Sequence, residues 1–345
     1  MNIPANELKA TLKKLSAVKT DFFLIDPGFI TTLDSDVRVQ VAAPWFTGPS
    51  FSVLARKFTT AVNRMTGDIG FEQRERSVVL SAKKAKLEVE IQQCKPMKRP
   101  DIPDWTIILL ELKTLLATAS ATMSKMKSQE FGDVIQLIGK DELEPGTYSL
   151  QAVGYDSLIL TRHRRVSKGQ DININVLVNS AAVTAIQLLD DCVHFADTET
   201  ALVFRDDKTC IWAAKPAKTY PDYERYFPVK SNYQFQVDPV EAIAALRIVE
   251  PLESSEDSSI GLHFVDGVLH LSSLGASDEI DYEQLTPDPI FEPIEFKTAI
   301  NYKHLQGIVA KSSDKLVLSV TSPEGILRFD SGEITTLAAS AFRRK

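Results

Sequence analysis

Along the chain, apolar residues recur in two different periods, and the two alternate six times. Steps of three and four, as at Leu8, Leu12 and Leu15, mark helical stretches over 6–19, 53–65, 108–127, 178–191, 238–251 and 299–311. Each can lay one face on a sheet. After each helix, apolar and polar residues alternate one by one, as half-buried strands require. The clearest case is SIGLHFVDGVLHLSS (259–273), which alternates on both sides of Asp266-Gly267. An Asp-Gly pair between alternating flanks signals a hairpin. Sister stretches read KLVLSVTSPEGILRFDSGEI (315–334, with Gly325 at its turn), CVHFADTETALVFRDDKTCIWAA (192–214) and GDIGFEQRERSVVLSAKKAKLEVEIQ (67–92). Asn6, Ser180 and Asp238 stand where N-caps are needed, and Pro239 fits a first helical turn.

Six such units pair into three α+β domains of similar length, with proline-containing links at 94–105 and 218–228. The expected boundaries are 1–105, 106–228 and 229–345. A generic tandem array would show the same repetition.

Composition narrows the class. The 345 residues are 44% hydrophobic and 25% charged, the balance of a folded chain with room for more than one core. Apolar runs such as WTIILLEL (105–112) are too short to span a bilayer, and the first residues lack the pattern of a signal peptide. No membrane association and a cytoplasmic location are therefore expected. Cys94, Cys192 and Cys210 are odd in number and far apart, which suggests reduced thiols. The five histidines form no HxxxH spacing, so no metal is expected. There is no Gly-rich phosphate loop and no G-x-S-x-G elbow, so neither a cofactor nor an enzyme is expected.

Charge changes the picture more than composition does. The six helical stretches carry +3, +3, +2, −2, −2 and +2, a net +6, so a chain of net charge −7 leaves −13 for strands and loops. If the helices face one way, they form a basic surface on an acidic body. Such a surface attracts phosphates regardless of base sequence, while the rest repels them. Lysines that are merely solvated on good helices would give the same count.

Three stretches carry a resemblance. FSVLARKFTTAVNRMTGDIGFEQRERSVVLSAKKAKLEVEIQ (51–92), YSLQAVGYDSLIL (148–160) and KTYPDYERYFP (218–228) resemble, in order and spacing, the β sliding clamp of bacterial DNA polymerase III. Pro221-Asp222-Tyr223, followed by Arg225 and Pro228, is the most specific piece, and VLARKF (53–58) comes next. The match spans the chain in element order and is close only in patches.

The resemblance implies three tandem DNA-clamp domains, each with two helices on antiparallel sheets, closing as a head-to-tail homodimeric ring. Its helices would line a hole that holds double-stranded DNA, and the partners would be a replicative DNA polymerase and a clamp loader. The implied DNA-facing cations are Lys9, Lys13, Lys14, Lys19, Arg64, Lys113, Lys125, Lys127, Arg247, Lys303 and Lys311. Arg56, Lys57, Ala61 and Met65 fall at positions facing a second protomer, although Ala61 and Met65 also read as core. A peptide pocket would draw on Val153, Tyr155, Leu158, Pro221, Arg225, Tyr226, Ala339, Ser340, Ala341 and Phe342. Segment 218–228 also reads as a rigid hinge. Rival readings are an adaptor that forms no ring, an enzyme built on Asp222, Tyr223, Glu224 and Arg225, and a trimeric ring of two-domain protomers. Six units per chain favour two protomers.

Overall fold

The structure is a computed structural model. It describes the chain except residues 1, 34–35, 95–106, 122–132, 157, 170, 228–230, 232, 252–257, 274–275, 285–294, 313–314, 321 and 342–345. The expected α+β class holds, and the repeated unit is a strand, a helix and three strands. The first repeat is β1 (Asn2–Pro4), α1 (Ala5–Leu15), β2 (Phe22–Asp26), β3 (Gly28–Thr32) and β4 (Val37–Ala43). The second is β5 (Phe51–Leu54), α2 (Ala55–Asn63), β6 (Asp68–Gln73), β7 (Ser77–Ala82) and β8 (Ala85–Gln93). The third is β9 (Ile107–Leu110), α3 (Leu112–Ser120), β10 (Val134–Asp141), β11 (Thr147–Tyr155) and β12 (Ile159–Lys168). The fourth is β13 (Ile174–Asn179), α4 (Ser180–Ile186), β14 (Cys192–Asp197), β15 (Ala201–Arg205) and β16 (Thr209–Ala214). The fifth is β17 (Tyr233–Val237), α5 (Pro239–Ile248), β18 (Ser259–Val265), β19 (Val268–Ser273) and β20 (Ala276–Gln284). The sixth is β21 (Phe296–Asn301), α6 (Tyr302–Val309), β22 (Leu316–Val320), β23 (Ile326–Ser331) and β24 (Ile334–Ala339).

The repeats interlock in pairs by exchanging their first strands. β1 pairs with β6 and β5 with β2; β9 pairs with β14 and β13 with β10; β17 pairs with β22 and β21 with β18. Last strands then join one pair to the next, β4 to β16 and β12 to β24, all antiparallel. Two compact units result, residues 1–114 with 178–217 and residues 115–177 with 218–345. Each holds one twelve-stranded sheet. Both are discontinuous in sequence, because sheet pairing rather than chain order decides them.

The helices are shorter than their apolar period suggests, because each begins where a strand ends. Residues 108–110, the start of the expected helix 108–127, belong instead to strand β9. In the first unit, α1 buries Leu8, Leu12 and Leu15, and α2 buries Phe58 and Val62. In the second, the core around Phe235, Phe264, Leu246, Leu305 and Leu318 lies beneath α5 and α6. Full burial of one such side chain contributes about 1.5–3 kcal/mol.

Capping departs from the expectation at two of three sites. Asp238 does cap α5, accepting from the amides of Val240 (2.7 Å) and Glu241 (3.3 Å) ahead of Pro239. Asn6 lies inside α1, whose N-cap position is Pro4, and Ser180 is the first helical residue after the true cap, Asn179. At α1 and α2 the exchanged strands do part of this work. The amide of Ala5 donates to the Gly67 carbonyl (3.0 Å) and that of Ala55 to the Asp21 carbonyl (2.9 Å), each just before the partner strand. The hairpin at 259–273 forms as expected, with Asp266 and Gly267 at φ 50° and 86°, the left-handed pair of a two-residue turn.

Candidate functional site

The 218–227 segment lies on a sheet face whose composition follows from register. Leu160 stands opposite Tyr155 and Leu337, and Leu337 opposite Arg328. Two positions along, Arg162 stands opposite Val153 and Thr335. Because successive side chains alternate faces, both rows share one face. Tyr223 and Phe227 pack there against Val153, Leu160 and Leu337. Tyr220 donates its hydroxyl to the Val153 carbonyl at 2.9 Å, and Gln151 donates to the Tyr223 hydroxyl at 3.3 Å. Tyr223 meets Tyr220 and Phe227 edge to face, at 5.8 and 6.0 Å. Burial pushes the Tyr223 phenol up to about 12 and raises those of Tyr155 and Tyr220, so all three stay neutral.

Beside this packed layer a single 3-10 turn, Glu224–Tyr226, brings Tyr226 to the wall of a cleft of about 190 Å³. Tyr155, Leu158 and Ile159 form its β11–β12 side, and Ile326, Leu337, Ala338 and Ala339 its β23–β24 side, with Leu160 between. An apolar cleft with the tyrosines Tyr155 and Tyr226 on its wall fits a short hydrophobic peptide. Asp156 sits in the same bend as Tyr155 and Leu158. Burial raises its carboxyl, while the Leu158 amide and His304 oppose the shift. Burial also lowers the His304 imidazole.

Of the expected pocket residues, Tyr155, Leu158, Tyr226 and Ala339 come together. Val153 is fully buried below the cleft, and Pro221 is half-buried in the overlying segment. Arg225 is exposed and turns back on Tyr226, donating to its hydroxyl at 2.8 Å with its guanidinium 4.9 Å from the ring centre. Ser340 and Ala341 are tied elsewhere, Ser340 to the Pro323 carbonyl and Ala341 to that of Ala299, both at 2.8 Å. Phe342 lies outside the described residues. Sequence reading missed Ile159, Leu160, Ile326, Leu337 and Ala338. The alternation of the last three announced strands but not which strand would meet β12.

The basic candidates divide into two kinds. Lys13, Lys19, Arg64, Arg247 and Lys303 are exposed. Four others are tethered. Lys9 donates to the Met65 carbonyl (2.8 Å), Lys113 to that of Leu189 (2.8 Å) and Lys311 to that of Thr118 (3.2 Å). Lys14 donates to Thr209 Oγ1 (3.0 Å) and lies 3.6 Å from Asp206. Burial lowers the Lys311 amine to about 8. Lys125 and Lys127 lie outside the described residues. The two stretches expected to be acidic helices are neutral as formed, because Asp190, Asp191, Asp238 and Glu250 fall beyond the ends of α4 and α5. Arg56 and Lys57 are exposed on α2, whereas Ala61 and Met65 are buried within their own unit.

Comparison with solved structures settles the architecture. The chain superposes over 99% of its length on 99% of the Helicobacter pylori beta clamp bound to a DNA ligase peptide, with a TM-score of 0.81 at 16% identity. It has the sliding-clamp fold. A DNA polymerase III subunit beta of Bartonella birtlesii, bound to griselimycin, gives a TM-score of 0.84 at 16% identity, again over 99% of both chains. The pol III beta of Caulobacter crescentus gives 0.84 at 15%, with the same coverage. Protein-family models and curated protein sequences give no match to the chain. Among the described residues, the clamp fold here has no group of three metal-binding side chains and no helix long and apolar enough to cross a membrane.

Proposed function

We propose that the chain is a DNA sliding clamp, a processivity factor that encircles duplex DNA and tethers a replicative polymerase and other partners through the Tyr155–Tyr226 cleft. The observation that carries this reading is the whole-chain similarity to clamps, one of them bound to a DNA ligase peptide. On this reading the protein catalyses nothing and works in the cytoplasm, where a clamp loader opens it. Its three domains are the three interlocked pairs of repeats, divided near 105 and 228.

Strand accounting supports closure as a head-to-tail dimer. Of the six last strands, four are joined within the chain. Among the described pairings, β8 meets β5 only at residues 91–93 and β20 meets β17 only at 282–284, so 85–90 and 276–281 each keep an open edge. An edge of that kind is a template for another strand. Joining β8 of one copy to β20 of a second, twice, closes a ring of six joints through unlike faces. Charge fits the joint. Lys83 and Lys84 precede β8, Lys86 lies in it with Glu88 and Glu90, and Arg56 and Lys57 stand on α2. Asp278, Glu279 and Asp281 lie in β20, with Glu241 and Arg247 on α5, so the first side is the more basic and the second the more acidic. On α5, Val240 and Ile248 are 75% and 60% exposed, apolar surface that a second copy would cover.

The test is solution mass by light scattering across a dilution series, followed by binding to circular DNA before and after it is cut. A stable dimer of the 38.3 kDa chain, retained on closed circles and released on cutting, is expected. A monomer at all concentrations would overturn the ring and leave an adaptor.

A further inference from the structure

The cleft wall that carries Tyr226 is one 3-10 turn, and two arginines from the sheet below converge on its end. Arg328 donates to the Phe227 carbonyl at 2.9 Å and is itself locked by Asp330 through bonds of 2.7 and 3.1 Å. Thr335 holds that Asp330 at 2.8 Å. Arg162 lies with its guanidinium 3.7 Å from the centre of the Phe227 ring and 3.7 Å from Glu224 Oε2. Glu224 and Phe227 bracket Tyr226, so Arg162 grips the turn at both ends.

The two arginines differ in what the turn does for them. Arg328 keeps its carboxylate, Asp330, whether or not the turn is docked. Both contacts of Arg162 belong to the turn. Its side chain is only 22% exposed, and burial and the charge of Arg328 both disfavour its ionised form, while Glu224 opposes them. A half-buried cation beside another cation is costly unless it is compensated. The Glu224 carboxylate is 62% exposed and therefore screened, so the buried Phe227 ring is the firmer anchor. Undocking the turn would strip Arg162 of both contacts at once.

We propose that Arg162 is the positioning residue of the cleft, a latch that holds the turn and so fixes Tyr226 where a peptide meets it. Its consequence for binding rests on the peptide-cleft reading above; the latch itself does not. Rigidity in the free state favours binding, because the wall is already ordered when the peptide arrives.

The test uses the full chain with 3-fluorotyrosine at position 226, and griselimycin, which the Bartonella birtlesii clamp of the same fold binds, as the probe. Arg162→Met keeps the stem and removes the charge, Arg162→Lys restores charge without the planar stack, and Glu224→Gln removes the exposed partner. In Arg162→Met, without probe, the fluorine resonance of residue 226 should broaden or shift, and griselimycin should bind about tenfold more weakly. Arg162→Lys should recover part of both effects, and Glu224→Gln should cause smaller ones. An unchanged fluorine resonance in Arg162→Met overturns the latch. A changed resonance with griselimycin affinity equal to wild type overturns its role in binding. Should wild type not bind griselimycin, the consequence for binding falls with it, while the fluorine signal still decides the latch.

Discussion

Asp206 shows how much one side chain can hold. Its side chain is 2% exposed, accepts from the amides of Asp190 (3.0 Å), Lys208 (2.8 Å) and Thr209, and has Lys14 Nζ at 3.6 Å. Removing the carboxylate leaves three amides without an acceptor and Lys14 with Thr209 Oγ1 but no countercharge. Asp206→Ala is expected to cost about 3 kcal/mol in urea unfolding, more than Lys14→Ala, which still leaves the three amide bonds. Lys311 works in the opposite sense. Its folded amine sits near 8, below its ordinary 10.5, because burial disfavours the charged form. Between those values the unfolded chain binds more protons, so stability should rise as pH climbs from about 8 to 10.5, and the penalty is fully present below 8. Lys311→Met should raise stability at pH 7 and abolish that rise, as measured by chemical denaturation at a series of pH values.

At the scale of elements, caps separate the helices into two classes. Replacing Asp238 or Asn301 with alanine removes acceptors for two first-turn amides and should cost about 1 kcal/mol each. Asn6→Ala should be close to neutral, because a carbonyl from a neighbouring segment meets the Ala5 amide that begins α1. Denaturation midpoints of the three variants test the contrast. The same contrast explains what the sequence disclosed. Asp266-Gly267 and Asp238-Pro239 are local signals, so the hairpin and the α5 start were legible. Asn6 misled because the group that replaces a cap is distant in sequence. Residues 108–110 misled because a continuous apolar run hides its alternation; Ile108 and Leu110 are exposed, with Leu109 buried between them. At the cleft, the aromatic segment announced itself through its unusual composition. The β23–β24 wall did not, since Ile326, Leu337 and Ala338 are ordinary strand residues until β24 pairs with β12.

For the whole molecule, self-association tests the proposed closure. Exchanging Arg56 and Lys57 for glutamate should weaken the dimer by at least about tenfold, and raised salt should weaken the wild type in the same direction. Asp278→Lys with Asp281→Lys should restore part of the loss when mixed with that variant; mass across a dilution series reports both. A weakening that no partner change rescues would argue against a β8–β20 joint. The exchange of first strands carries a further consequence, one that concerns synthesis. In each pair the earlier repeat lends its strand forward: Asn2 finds its partner only when Gly70 has been made. The later repeat lends its strand backward, to a neighbour already present. Strand exchange within a pair is therefore complete only after every second repeat has been made. A message cut short after one, three or five repeats would release a chain with an unfilled slot in its sheet, ready to take a strand from the next unfinished chain it meets.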